Sequence, residues 1–140
     1  MLHSFFYDWI IMNIKNDFQV LENARKAIES VGGRVEVIYN LDEPDIIVKP
    51  GKRAYKQIGM IYLEECNVTE TVFEAMSHLN RVCSIFLCKA VFDEENLKYL
   101  KNIEIYLLDL RSCKISNSGM KYVGEMNLID TLWLSDNNFD

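Results

Sequence analysis

Four leucines, Leu63, Leu87, Leu110 and Leu134, stand 24, 23 and 24 residues apart, and their surroundings recur with them. Five positions before each come Ile58, Val82, Ile105 and Ile129; two before come Ile61, Ile85, Leu108 and Leu132. Three after come Cys66, Ala90, Cys113 and Asn137; five after come Val68, Phe92, Ile115 and Phe139. Further columns follow at ten (Phe73, Leu97, Met120), thirteen (Met76, Leu100, Val123) and sixteen (Leu79, Ile103, Met126) positions after. One apolar column would carry little in a chain that is 49% hydrophobic. Seven coupled columns carry much more. A fixed period of this length describes units too small to bury their own apolar face, which must stack on one another to make a continuous core.

Each column has a local physical meaning. In Ile61-x-Leu63 and its equivalents, period-2 alternation turns branched residues inward on a short strand. Parallel stacking of such strands sets the rungs about 4.8 Å apart. The position three after the leucine turns the chain inward. An Asn there can satisfy buried backbone groups with its amide, and a small Cys fits the same niche. Thr69, Asp93 and Ser116, six after, are expected as helix N-caps. The apolar residues that follow recur at i, i+3 and i+6 and predict short helices on the strand layer. Each unit therefore reads strand, turn, helix.

The pattern L-x-x-L-x-L-x-x-(C/A/N)-x-(V/F/I) over residues 58–139 resembles bacterial leucine-rich repeats with an I-T-D-x-G-L-x-x-L convex segment. The nearest local match is Ile115-Ser116-Asn117-Ser118-Gly119-Met120-Lys121-Tyr122-Val123. Ala24 to Val35 is similar to the A-I-x-x-L-G-G-x-V helix-to-strand leader that often precedes such repeats. A weaker similarity runs to the coupling factor B family of mitochondrial ATP synthases, which joins a helical N-terminal part to a few irregular repeats. The resemblance implies an α/β leucine-rich-repeat solenoid, a parallel strand ladder with convex helices and an N-terminal α+β cap. It also implies a curved interaction scaffold without catalytic residues, and says little more about function.

Along the chain, residues 1–17 read as an arm that is helical or poorly ordered, 18–55 as the cap and 56–140 as the repeats. Within the cap, Phe18, Leu21, Ala24, Ala27 (or Ile28) and Val31 share one face of a helix, and Gly32-Gly33 is a natural stop. Residues 34–39 alternate as a strand. Asp42-Glu43-Pro44-Asp45 and Lys49-Pro50-Gly51-Lys52 read as turns, with a short strand at 46–48 between them. The last strand precedes Asp140 without a following helix. The expectation is either a truncated chain or a homo-oligomer joined through the edge lined by Leu132, Trp133 and Leu134.

The net charge of −6 argues against a nucleic-acid binder, which needs a clustered positive face. No apolar run reaches the roughly 18–20 residues of a membrane helix. The opening residues lack a basic region and a small-residue cleavage site, so no signal peptide is expected. The cysteines Cys66, Cys83, Cys88 and Cys113 form no C-x-x-C pair, and no metal or cofactor site is expected. Cys66 and Cys113 lie two rungs apart, about 10 Å by strand spacing, too far for a disulfide. Core thiols of this kind suit a cytoplasmic setting. Cys88 has no adjacent base, and no catalytic motif is present, so no enzyme is expected.

Strand alternation leaves three rows on the outward, concave face. The central row is Tyr62, Phe86, Asp109 and Trp133. It is flanked by Met60, Ser84, Leu107 and Thr131 on one side and Glu64, Cys88, Arg111 and Ser135 on the other. Three aromatics in one solvent row point to a partner-binding surface for another protein; stacking between strands, or cover by the arm, would account for them equally. The expected partner-binding residues are Tyr62, Phe86, Asp109, Trp133, Met60, Glu64, Leu107 and Arg111. The alternatives are an assembly subunit docked by its arm and edge strand, and an acidic inhibitor of a basic protein.

Overall fold

The computed structural model describes residues 18–38 and 57–139. The expected arm, the short strand at 46–48 and its two flanking turns lie outside them. Helix α1 occupies residues 18–30. Ala24 and Ile28 on its inner face are wholly buried, Leu21, Ala27 and Val31 are half-buried, and Phe18 is exposed. The helix ends as the two glycines predict. The Gly33 amide donates to the Ile28 carbonyl and the Gly32 amide to that of Glu29, with Gly32 at φ +87°. This pair of bonds closes the helix C-terminus around a left-handed residue. Gly33 has a second duty. A Cβ there would stand 2.7 Å from both Ile28 Cγ2 and Leu63 Cδ2, so only glycine lets the helix end sit against the first key leucine.

That contact sets the direction of the next strand. β1 (Arg34–Ile38) leaves from beside Leu63, just past the end of β2 (Gln57–Tyr62). It therefore runs back along β2, antiparallel, with Arg34 opposite Tyr62 and a register shift between Glu36 and Val37. β3 (Arg81–Phe86), β4 (Glu104–Asp109) and β5 (Ile129–Trp133) then add in order, each parallel to the one before. The sheet is five-stranded, ordered β1-β2-β3-β4-β5, and mixed. The expectation of a parallel strand ladder is corrected here: β1, expected within the N-terminal cap, pairs antiparallel with β2 and makes the sheet mixed.

The inward columns are paired in register. Ile58, Val82, Ile105 and Ile129 stand abreast, as do Ile61, Ile85, Leu108 and Leu132. One residue beyond each strand the amides of Leu63, Leu87 and Leu110 still bond the neighbouring strand's last carbonyl, at 2.8 to 2.9 Å. Two residues later the chain turns through a left-handed residue at Glu65, Lys89, Ser112 and Asp136. None is glycine. For the first three, the amide bonds to the neighbouring turn (Cys88, Arg111 and Ser135 carbonyls), which offsets the strain.

Three short helical segments follow: α2 (Glu70–Ser77), a 3-10 helix (Glu94–Leu100) and α3 (Met120–Gly124). The i, i+3, i+6 spacing of their apolar residues suits a period of three as well as one of 3.6, and the middle segment takes the tighter form. Phe73, Met76, Leu97 and Leu100 have no exposed surface, and Leu79, Ile103, Val123 and Met126 are buried with the inward strand residues in a single core.

The expected caps hold only in part. Asp93 accepts from the Glu95 amide. Thr69 occupies the cap position of α2, but its side chain makes no capping bond. Ser116 is not a cap, because α3 starts later, after Gly119. The carboxylate of Glu94 reaches Ser116 instead, accepting from its amide at 2.9 Å and its hydroxyl at 2.7 Å. Gly119 leaves it room, since a Cβ would meet Glu94 Oε2 at 2.5 Å.

Candidate functional site

The outward row begins with a stack. Tyr62 and Phe86 lie on adjacent rungs with ring centroids 5.2 Å apart and planes tilted by 12°. The Arg34 guanidinium sits 4.0 Å from the Tyr62 centroid on the side away from β3, because β1 places Arg34 abreast of Tyr62. Arg34 also pairs with Glu36 at 2.8 Å, an exposed contact worth little by itself. The Tyr62 hydroxyl donates to Met60 Sδ at 3.1 Å, tying the flanking row to the central one. Tyr62, Phe86 and Met60 are half-buried.

The next rung breaks the stack. Asp109 was expected on a solvent face, yet it is 1% exposed. Its cover includes Arg111, two residues on and so on the same face of the chain. Arg111 Nε donates to Asp109 Oδ1 at 2.9 Å and Nη2 to Oδ2 at 2.8 Å, and the Arg111 amide adds a third bond at 3.1 Å. Burial pushes the Asp109 carboxyl up, but these hydrogen bonds and the adjacent charge outweigh it and hold the group below the usual carboxylate range. The same contact raises Arg111 further. The guanidinium then lies 4.7 Å from the centroid of Trp133, which is 40% exposed on the last rung.

Of the remaining expected residues, Glu64 is exposed and Leu107 half-buried. Ser84 in the Leu107 row is buried, and Cys88, beside Arg111, is half-buried rather than an exposed thiol. The structure thus brings Tyr62, Phe86 and Met60 into one group and Asp109, Arg111 and Trp133 into another. Arg34 was missed, because antiparallel pairing of β1 with β2 cannot be read from alternation within either strand. The Asp109–Arg111 pair was within reach, since residues two apart on a strand share a face.

The inward turn is built as expected at its last position. Asn137 Oδ1 accepts from the amides of Cys113 and Ile115 at 3.0 and 2.9 Å, and Nδ2 donates to the Leu110 and Leu134 carbonyls at 2.8 Å. Cys113, one rung back, donates from Sγ to the Leu87 carbonyl, and burial pushes its thiol up to about 11. All four cysteines are free.

Among the described residues, no group of three His, Cys, Asp or Glu side chains is placed to hold a metal ion. No helix among them is long and apolar enough to cross a membrane. His78 is exposed at the C-terminal cap of α2. No protein-family model matches the chain, and no curated protein matches it.

Proposed function

We propose that the chain is a non-catalytic leucine-rich-repeat module that binds another protein through the concave, outward face of its sheet. The repeat reading is supported by the in-register columns, by the left-handed turn at spacings of 24, 23 and 24 residues, and by the amide bonding of Asn137. Four free cysteines suit the reducing conditions of the cytoplasm.

The observation that carries the binding role is the outward aromatic row. Tyr62, Phe86 and Trp133 share one face, and two of them carry a guanidinium against the ring. Tyr, Trp and Arg dominate the energetic centres of protein interfaces, because they bring large area with few torsions to freeze. Rings held by stacking have already lost part of that freedom, so less is lost on binding.

The test is a comparison. The full chain and its Tyr62→Ser/Phe86→Ser/Trp133→Ser variant are used as bait, and proteins retained by the first are quantified on the second. The expected result is loss of the specific partner while circular dichroism shows the variant folded. Equal retention by both baits rejects the face, and would return attention to a role as an assembly subunit.

A further inference from the structure

Asp109 is the odd member of its row. Phe86 and Trp133 stand on the rungs either side, and a ring or an aliphatic side chain at 109 would continue their packing. The chain buries a carboxylate instead, to 1% exposure. Stability is a poor reason for this, since the Arg111 side chain is 42% exposed and pairs open to solvent contribute little. Among the described residues the Asp109 side chain accepts hydrogen bonds from Arg111 alone, three in all. The product of this arrangement is the fixed position of one guanidinium.

That guanidinium is restrained twice. Its Nε and one Nη2 hydrogen are taken by Asp109, and its Cζ lies over the Trp133 ring, 4.7 Å from the centroid. Nη1 and the second Nη2 hydrogen have no hydrogen-bond partner among the described residues. They form the other edge of the fork, on a side chain 42% exposed. A planar fork with one edge anchored and one free matches the two oxygens of a second carboxylate.

We propose that Asp109 presets Arg111 as a carboxylate receptor, and that the bound partner segment presents an Asp or Glu side chain to it beside an apolar residue on Trp133. This rests on the reading of the outward face as a binding surface, and adds the chemistry of what it binds. The row containing Arg111 also gives a direction. Its first member, Glu64, is exposed two rungs away, roughly 10 Å by strand spacing, and repels an acid at that end. The charge of Asp136 also reaches Arg111, so the acidic position is confined to the free edge of the fork. Arg111 is the receptor; Asp109 is a positioning residue.

The experiment uses the full chain and a positional library of nine-residue peptides, acetylated and amidated so that every carboxylate belongs to a side chain. Baits are the wild type, Arg111→Gln, Arg111→Lys, Asp109→Asn, Phe86→Ser/Trp133→Ser and a control on the helical side, Lys121→Gln. The expected result is Asp or Glu enriched at one position, next to an apolar residue. The best such peptide is expected to lose about 10- to 100-fold in affinity with Arg111→Gln, in line with a charged hydrogen bond. Arg111→Lys, which keeps the charge without the fork, retains only part of the affinity. Asp109→Asn weakens the acidic preference while leaving the apolar one, a split that a purely structural role would not produce. Selection that depends on Phe86 and Trp133 without acidic enrichment overturns this proposal and leaves the binding face standing. Selection indifferent to Phe86 and Trp133, or no selection by the wild type, overturns both. Thermal melts of each variant separate lost recognition from lost folding, and an unfolded Arg111→Gln leaves the decision to Arg111→Lys.

Discussion

Leu63, Leu87 and Leu110 follow Tyr62, Phe86 and Asp109 directly in the chain, so the two faces of the sheet can be compared residue by residue. The inward row uses one solution three times. Each leucine is fully buried and donates its amide to the next rung. The outward row changes at every step, from a cation-capped tyrosine to a stacked phenylalanine, a buried carboxylate and an exposed tryptophan. Like neighbours suit a core of strands stacked in register, because each strand presents the same shape to the next. The outward row does not repeat in this way, and under the proposed function its composition answers to a partner. Stability should reside in the first row and recognition in the second.

The sharpest way to break this division is to cut adjacent residues on one rung. Leu87→Ala removes a side chain with no exposed surface in the middle of the core. Large-to-small changes of this kind cost about 2–5 kcal/mol, enough to unfold much of a small domain. Phe86→Ser, one residue earlier, removes a half-buried ring and one stacking partner, and should cost about 1–2 kcal/mol. Denaturant melts of the two variants check the order. Equal losses would mean that the outward row is core in its own right.

A second cut falls where the inward turn closes. Asn137→Ala strands the amides of Cys113 and Ile115 and removes the donor to the Leu110 and Leu134 carbonyls. Leaving such groups without partners should cost about 1–3 kcal/mol. Hydrogen exchange is the more pointed measurement. Protection should fall first at Cys113 and Ile115, with the amides of Leu63 and Leu87 little changed, if neighbouring units are coupled rung by rung.

The parts of the molecule legible in the sequence are those set by short-range periodicity. The inward columns, the helix stop at Gly32-Gly33 and the amide role of Asn137 follow from alternation, turn chemistry and hydrogen-bonding capacity, and these act within a few residues. What was not legible depends on distant encounters. The direction of β1 follows from the closeness of Gly33 to Leu63, thirty positions on. The hydroxyl of Ser116 is used by Glu94 from the 3-10 helix, so a residue chosen as a cap does other work. At the candidate site, alternation placed Asp109 and Arg111 on the correct face but could not say that one would bury the other. Period-2 patterning assigns a side to each side chain. It does not assign a depth.

The smallest expected effect tests that depth, through pH. Asp109 titrates below its ordinary range in the folded protein, because the bonds from Arg111 outweigh the opposing effect of burial. In the unfolded chain it binds protons near the ordinary aspartate value of 3.8. Below that point the unfolded state holds more protons than the folded state, so stability falls as pH falls, and the contribution of Asp109 is fully present only above it. Asp109→Asn should therefore make the acid limb of the stability profile shallower. Arg111→Gln should go further in the same direction. With the guanidinium gone, burial is the main influence left on the carboxyl and raises its pKa. The folded state then holds the extra proton, so acidification through that range adds to stability instead of removing it. Melting temperatures from pH 3 to 7 for the three proteins would show both variants losing less on acidification than the wild type, Arg111→Gln the less of the two. Parallel profiles would mean that Asp109 is hydrated in solution, and that the outward row holds no preset guanidinium.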